Sequence, residues 1–93
     1  MTDPEMQARI FKVLSVETRL RIIELLKHQV LCVNALARIL EITPAAVSQH
    51  LRILRDTDIV IATKKGYYVH YRVNNKTLVR WSKTTKSLLE TDE

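Results

Sequence analysis

Ninety-three residues amount to about one domain on the usual scale of roughly 100 to 200 residues each, which excludes a multidomain machine. Apolar residues make up 46% and charged residues 27%, close to globular averages, so the chain can build a core and is not a disordered tail. A net charge of +5 favours a polyanionic partner without deciding it, while one Gly and two Pro leave almost no room for a glycine-rich phosphate loop or a turn-rich all-β architecture.

Pro4 fits the first turn of a helix behind a capping Asp3 or Thr2, and Met6, Ile10, Val13 and Leu14 then fall at i, i+4, i+7 and i+8. Ser15 is suited to cap a second helix, with Glu17 near its positive end, a stripe of Leu20, Ile23 and Leu26, and Lys27 and His28 near its negative end. Gln29 to Cys32 reads as a short extended connection. In a third helix of about two turns, Val33, Leu36, Ala37 and Leu40 repeat at i, i+3, i+4 and i+7 until Glu41-Ile42 breaks the pattern.

Thr43-Pro44 sets a capping hydroxyl before a proline at the first helical position, which opens a fourth helix running to about Thr57. At about 100° per residue, Val47, Leu51 and Leu54 share one narrow stripe while Ala45, Gln49, Arg52 and Asp56 lie opposite. Ile59 to Thr63 is largely β-branched, Lys64-Lys65-Gly66 follows, and Tyr67 to Val73 alternates, which predicts a β-hairpin with Gly66 in its turn. Asn74 or Asn75 caps a last helix with a partly apolar stripe of Leu78, Trp81, Ser82, Thr85, Leu88 and Leu89, and Glu90 to Glu93 form an acidic end. The predicted order is ααααββα, mainly α with a small β-hairpin (α+β), in a single domain over residues 1–93.

One cysteine, Cys32, cannot form an internal disulfide, which suits a reducing compartment. No apolar run approaches the roughly 20 residues of a membrane span, and the start MTDPEMQAR lacks the hydrophobic core of a signal peptide. A cytoplasmic protein without a membrane partner is expected.

Two short helices joined by the tight Glu41-Ile42-Thr43 turn, the second with its apolar stripe inward, form the pattern of a helix-turn-helix, and a basic hairpin follows in the place of a wing. A helix in the major groove must expose hydrogen-bonding or small side chains, and Thr43, Ala45, Ala46, Ser48, Gln49 and Arg52 meet that need. Gln49 suits adenine, Arg52 suits guanine or phosphate, and the alanines with the Thr43 methyl suit thymine methyl groups. Lys64 and Lys65, with Tyr67 beside them, suit phosphates or a minor groove. A solvated helix and a charged loop tip use the same residue types, so the charge distribution has to discriminate. Residues 43 to 86 hold nine Lys or Arg and two Asp, a net of +7, whereas residues 1 to 42 hold six and five, a net of +1.

Leu14-Ser15-Val16-Glu17-Thr18-Arg19-Leu20-Arg21-Ile22-Ile23, Ala46-Val47-Ser48-Gln49-His50-Leu51-Arg52-Ile53-Leu54 and Lys65-Gly66-Tyr67-Tyr68-Val69-His70-Tyr71-Arg72-Val73 resemble, in that order, the signatures of the ArsR/SmtB family. The resemblance spans about residues 4 to 89. It implies a prokaryotic winged helix-turn-helix transcriptional regulator, a homodimeric repressor that reads inverted repeats in double-stranded DNA with the 43–56 helix and the 64–67 wing. It also implies dimerisation through residues 4–14 and 75–89, which makes Met6, Ile10, Leu78, Trp81, Leu88 and Leu89 the candidate interface. The apolar residues of the last helix exceed what one small core easily absorbs, although packing on the first helix accounts for them equally. His50, about 60° from the core stripe, fits a partly buried hydrogen-bonded histidine and a DNA contact equally, whereas His28 and His70 are expected at the surface.

Family members that sense thiophilic ions commonly carry a Cys-Val-Cys-type motif at the start of the third helix, because several thiolates enclose a soft ion. Here Cys32 matches the first cysteine and Asn34 stands at the second, so Cys32 is a weak metal candidate and no metal or cofactor is expected. The family's other site places Asp and His on the last helix, where this chain has no histidine and offers only Glu90, Asp92 and Glu93. No framework arranges catalytic groups around a pocket, which argues against an enzyme. Two alternatives stand beside the regulator: a sensor released from DNA through Cys32 or an inter-subunit pocket, and a winged helix that binds an acidic protein. The family often places glycine at two helix ends that carry Glu41 and Asp58 here, and left-handed geometry at either position costs roughly 1 kcal/mol relative to glycine.

Overall fold

Asp3 opens the first helix as expected, its carboxylate accepting the Met6 N–H at 3.2 Å with Pro4 at the first helical position. The structure, a computed structural model, describes residues 3–92, so the alternative cap Thr2 and the final Glu93 lie outside the described residues. The elements are α1 (Pro4–Leu14), α2 (Glu17–His28), α3 (Val33–Leu40), α4 (Pro44–Asp56), β1 (Val60–Lys65), β2 (Tyr68–Val73) and α5 (Asn75–Leu89). The order ααααββα is the one read from the sequence.

The core is a single cluster in which Ile22, Leu36, Val47, Leu51, Leu54 and Ile59 are fully buried. α2 packs against α1, α3, α4 and β2, and it buries Ile22 together with Ile23 and Leu26. Leu20, expected in that stripe, is instead exposed. On α1 the buried residues are Gln7, Ile10 and Val13, which turns Met6 outward. The face is rotated because the Gln7 amide Nε2 donates to the Thr84 carbonyl at 3.0 Å, fastening α1 to α5 with a satisfied buried polar group. Ser15 does not cap α2 either. Its hydroxyl donates to the Lys12 carbonyl at 3.0 Å, closing the end of α1, and α2 begins behind Val16 with no side-chain cap.

β1 and β2 pair antiparallel from Val60↔Val73 to Lys65↔Tyr68. The Gln29-to-Cys32 connection is extended because Leu31 joins the edge of β2: Tyr71 N–H donates to the Leu31 carbonyl at 2.8 Å and Leu31 N–H to the Tyr71 carbonyl at 3.2 Å. Among the described residues, no helix is long and apolar enough to cross a membrane.

Glu41 (φ 56°) and Asp58 (φ 63°) both adopt the left-handed conformation, and they bracket α4. Each ends a helix in the manner usual for glycine. Ile42 N–H reaches back to the Ala37 carbonyl at 3.1 Å, and after α4 Ile59 N–H reaches Leu54 while Asp58 N–H reaches Arg55, both at 3.0 Å. A Cβ is strained at such a φ, and a short polar Asp tolerates it better than Glu. Glu41→Gly is therefore expected to raise stability by about 1 kcal/mol and Asp58→Gly by somewhat less, read as shifts of the urea midpoint at unchanged slope. Lower midpoints in both variants would refute the strain.

Candidate nucleic-acid interface

α4 is anchored by Val47, Leu51 and Leu54, all fully buried, and the periodicity of 3.6 residues then turns Ala45, Ser48, Gln49 and Arg52 to solvent. The Thr43 hydroxyl accepts the Ala46 N–H at 3.1 Å, so it caps the helix while the residue stays exposed. Ala46 is half-buried on the flank shared with His50 and Ile53 rather than on the open face. Ser48, Gln49 and Arg52 line one wall of a cleft of about 290 Å³ between α4 and β2, together with Leu51, Arg55 and Tyr71. Sequence reasoning missed Arg55 and Tyr71. Arg55 falls about 80° from Val47, between the two faces, and Tyr71 enters only through the pairing of β2.

The wing differs from expectation in one detail. Lys64 and Lys65 belong to β1, because pairing continues to Lys65↔Tyr68 and leaves only Gly66 and Tyr67 as the loop. Gly66 has φ 62°, and a Cβ there would meet nothing within 4 Å, so backbone geometry alone asks for glycine. Positive φ at the first of two loop residues is the type II′ pattern that suits strand twist. The two lysines therefore leave from an ordered strand, and Tyr67 is wholly exposed at the tip.

Electrostatics single out the same surface. The ion pairs among the described residues all join positions three or four apart, at Arg9–Glu5, Arg21–Glu17, Lys27–Glu24 and His28–Glu24 within helices and at Lys86–Glu90 across the end of α5. Arg52, Arg55, Lys64, Lys65 and Arg72 are exposed, and none of them belongs to one of these pairs. Their charge is available to an anion.

His50 is half-buried, and its Nδ1 accepts the Arg19 Nε–H at 3.3 Å. Burial, and after it the positive charge of Arg19, hold its pKa below the ordinary histidine value. The unfolded chain consequently binds a proton that the folded chain resists, so stability falls as pH drops through about 6.5. Melting temperature measured from pH 8 to 5 is expected to fall less in His50→Asn than in the parent protein, and equal slopes would contradict this. His28 is exposed beside Glu24, as expected, but His70 is half-buried and its enclosed Nδ1 has no partner among the described residues, a departure from the expected surface position.

On the two terminal helices the six candidate interface residues divide. Met6, Leu88 and Leu89 are exposed, Leu78 is half-buried, and Ile10 and Trp81 keep only 1% and 8% of their surface open. Ile10 and Trp81 instead form the floor of an apolar groove of about 420 Å³, walled by Leu14, Leu20, Ile23 and Leu78. Phe11, Leu20 and Val79 add exposed apolar surface that periodicity alone did not flag. Cys32 is a half-buried free thiol at the start of α3, and among the described residues no three His, Cys, Asp or Glu side chains are grouped to hold a metal ion.

The model of a family described as bacterial regulatory protein, arsR family, matches residues 17–62. The chain is 39% identical over 67 residues to an arsenical resistance operon repressor of Escherichia coli K12, covering 71% of this chain and 57% of that protein. It thus spans little more than half the length of that relative. To a transcriptional repressor SmtB homolog of Synechocystis it is 33% identical over 93 residues, covering 99% of this chain and 70% of that one. Among solved structures, a homodimeric winged helix-turn-helix DNA-binding domain from Mycobacterium bovis superposes with a TM-score of 0.72 at 25% identity, covering 92% of this chain and 81% of that one.

Proposed function

Because this chain belongs to the arsR family of bacterial regulatory proteins, we propose that it is a sequence-specific DNA-binding regulator of transcription, working in the cytoplasm as a homodimeric repressor. The observation that carries this reading is the face of α4. Its anchoring residues are spent in the core, and Ser48, Gln49 and Arg52 are left exposed beside strand lysines that have no acidic partner among the described residues. In the proposed complex α4 enters the major groove, Gln49 and Arg52 meet base edges, Thr43, Ala45 and Ser48 line the approach, and Lys64, Lys65 and Tyr67 reach adjacent backbone or minor groove. The named relatives are repressors, which supports regulation over catalysis, and the M. bovis neighbour is homodimeric, which supports a dimer here. In that dimer Met6, Leu88 and Leu89 supply the contact and the groove floored by Ile10 and Trp81 receives the partner.

Two-fold symmetry sets the test. Selection of random duplex DNA by the purified protein is expected to enrich an imperfect inverted repeat whose half-sites lie about 34 Å, one helical turn, or a multiple of it apart. With roughly six phosphates neutralised per dimer, log affinity should fall against log salt with a slope near −5. No enrichment, or binding nearly independent of salt, overturns the reading.

A further inference from the structure

Arg19 lies in the first turn of α2, yet its guanidinium serves two other helices. Nε donates to His50 Nδ1 on α4 at 3.3 Å, and Nη1 donates to the Val13 carbonyl at the end of α1 at 3.2 Å. That carbonyl lies in the last turn of α1, where no intrahelical partner exists and a cation is favoured. The bond to His50 is, among the described residues, the one side-chain hydrogen bond that joins α4 to another helix. The rest of the seat of α4 is the apolar packing of Val47, Leu51 and Leu54, with backbone bonds such as Ile59 N–H to the Leu54 carbonyl closing its end. The buried stripe sets which face of α4 points inward, and a hydrogen bond, being directional, adds a tighter constraint on the rotation within that setting. Groove reading needs side chains placed within about 0.5 Å and 10–20°, so rotation is the degree of freedom that matters.

The bond also fixes the state of the imidazole. Arginine remains protonated and can only donate, so Nδ1 carries no proton and the neutral ring holds its proton on Nε2. That atom is not enclosed as His70 Nδ1 is, and among the described residues it has no hydrogen-bond partner.

We propose that Arg19 and His50 are positioning residues for DNA reading: the guanidinium, braced on the end of α1, holds α4 through His50 Nδ1 at the rotation that presents Gln49 and Arg52 to the groove. The proposal rests on the DNA-binding function above. Because α1 is also one of the proposed dimer helices, the clamp ties the orientation of each reading helix to the dimer interface.

Two substitutions at His50, with a third at Arg19, separate this role from a direct DNA contact, since the Asn amide oxygen falls near Nδ1 and the Gln amide near Nε2. His50→Asn keeps an acceptor for Arg19 and is expected to hold its affinity for the selected duplex within about threefold, while His50→Gln and Arg19→Gln lose about tenfold because α4 must then be ordered on binding, a loss capped by the worth of the bond. Affinity for shuffled DNA should stay the same in all three. If His50→Asn binds no better than His50→Gln, or Arg19→Gln binds like the parent, the clamp is overturned. Should a variant fail to fold, the parent protein decides: long-range ¹H–¹⁵N correlation spectra at pH 7.5 should show His50 protonated on Nε2, and protonation on Nδ1 overturns the proposal. A parent protein without sequence preference would instead overturn the DNA-binding function itself, and the positioning role with it.

Discussion

Replacing Gln49 and Arg52 together by alanine is expected to abolish discrimination between the selected sequence and a shuffled one while leaving a folded protein that still binds DNA. Both side chains are exposed on the outward face of α4, and among the described residues neither makes a side-chain hydrogen bond that the fold would miss. Changes at such positions usually move stability by less than about 0.5 kcal/mol. A bidentate contact to a base is worth about 1–3 kcal/mol of discrimination, so two lost together lower specific affinity by about 100-fold or more. Non-specific binding rests on phosphates, and removing one cation per subunit weakens it far less. Competition between the two duplexes measures both quantities at once. Undiminished preference in the double variant would show that α4 is not what reads the bases.

Leu54→Ala is expected to be the most damaging core substitution in the reading unit. Leu54 is fully buried between α4 and β1, and its carbonyl also receives the Ile59 N–H that closes α4. Truncating a leucine in such a place removes apolar contact and leaves a cavity, at a cost of about 2–5 kcal/mol. A domain of this size has a total stability of only about 5–15 kcal/mol, and a melting temperature more than about 10 °C lower should result. The loss should be one of folding and not of recognition, so DNA affinity measured well below the new midpoint should recover. A melting point within about 2 °C of the parent would mean that α4 is not held by this stripe.

The parts of this arrangement legible in the sequence are those set by one element's own periodicity. Val47, Leu51 and Leu54 fix the inward face of α4, and the outward face follows by geometry. Glu41 and Asp58 stand where a helix must turn left-handed, and both do so. What escaped the sequence depends on partners far along the chain. The face of α1 turns because Gln7 finds a carbonyl 77 residues away. α2 buries Ile22 and releases Leu20 because it is surrounded by α1, α3, α4 and β2, and a central helix is apolar over a wider arc than one stripe. The wing turn keeps Gly66 but gives both lysines to β1 and takes in Tyr67, because the register of two strands, and not the run of lysines, decides where pairing ends. Arg19 is an ordinary helix arginine until α4 is brought beside it.

The central claim, that the exposed face of α4 reads DNA sequence, is tested most directly by the ratio of affinities for the selected inverted repeat and for a shuffled duplex of equal length at about 0.15 M salt. A ratio of about 10³ or more is predicted, in the range of specific regulators. A ratio below about tenfold would mean that the basic surface binds the phosphate backbone alone, and it would contradict the account.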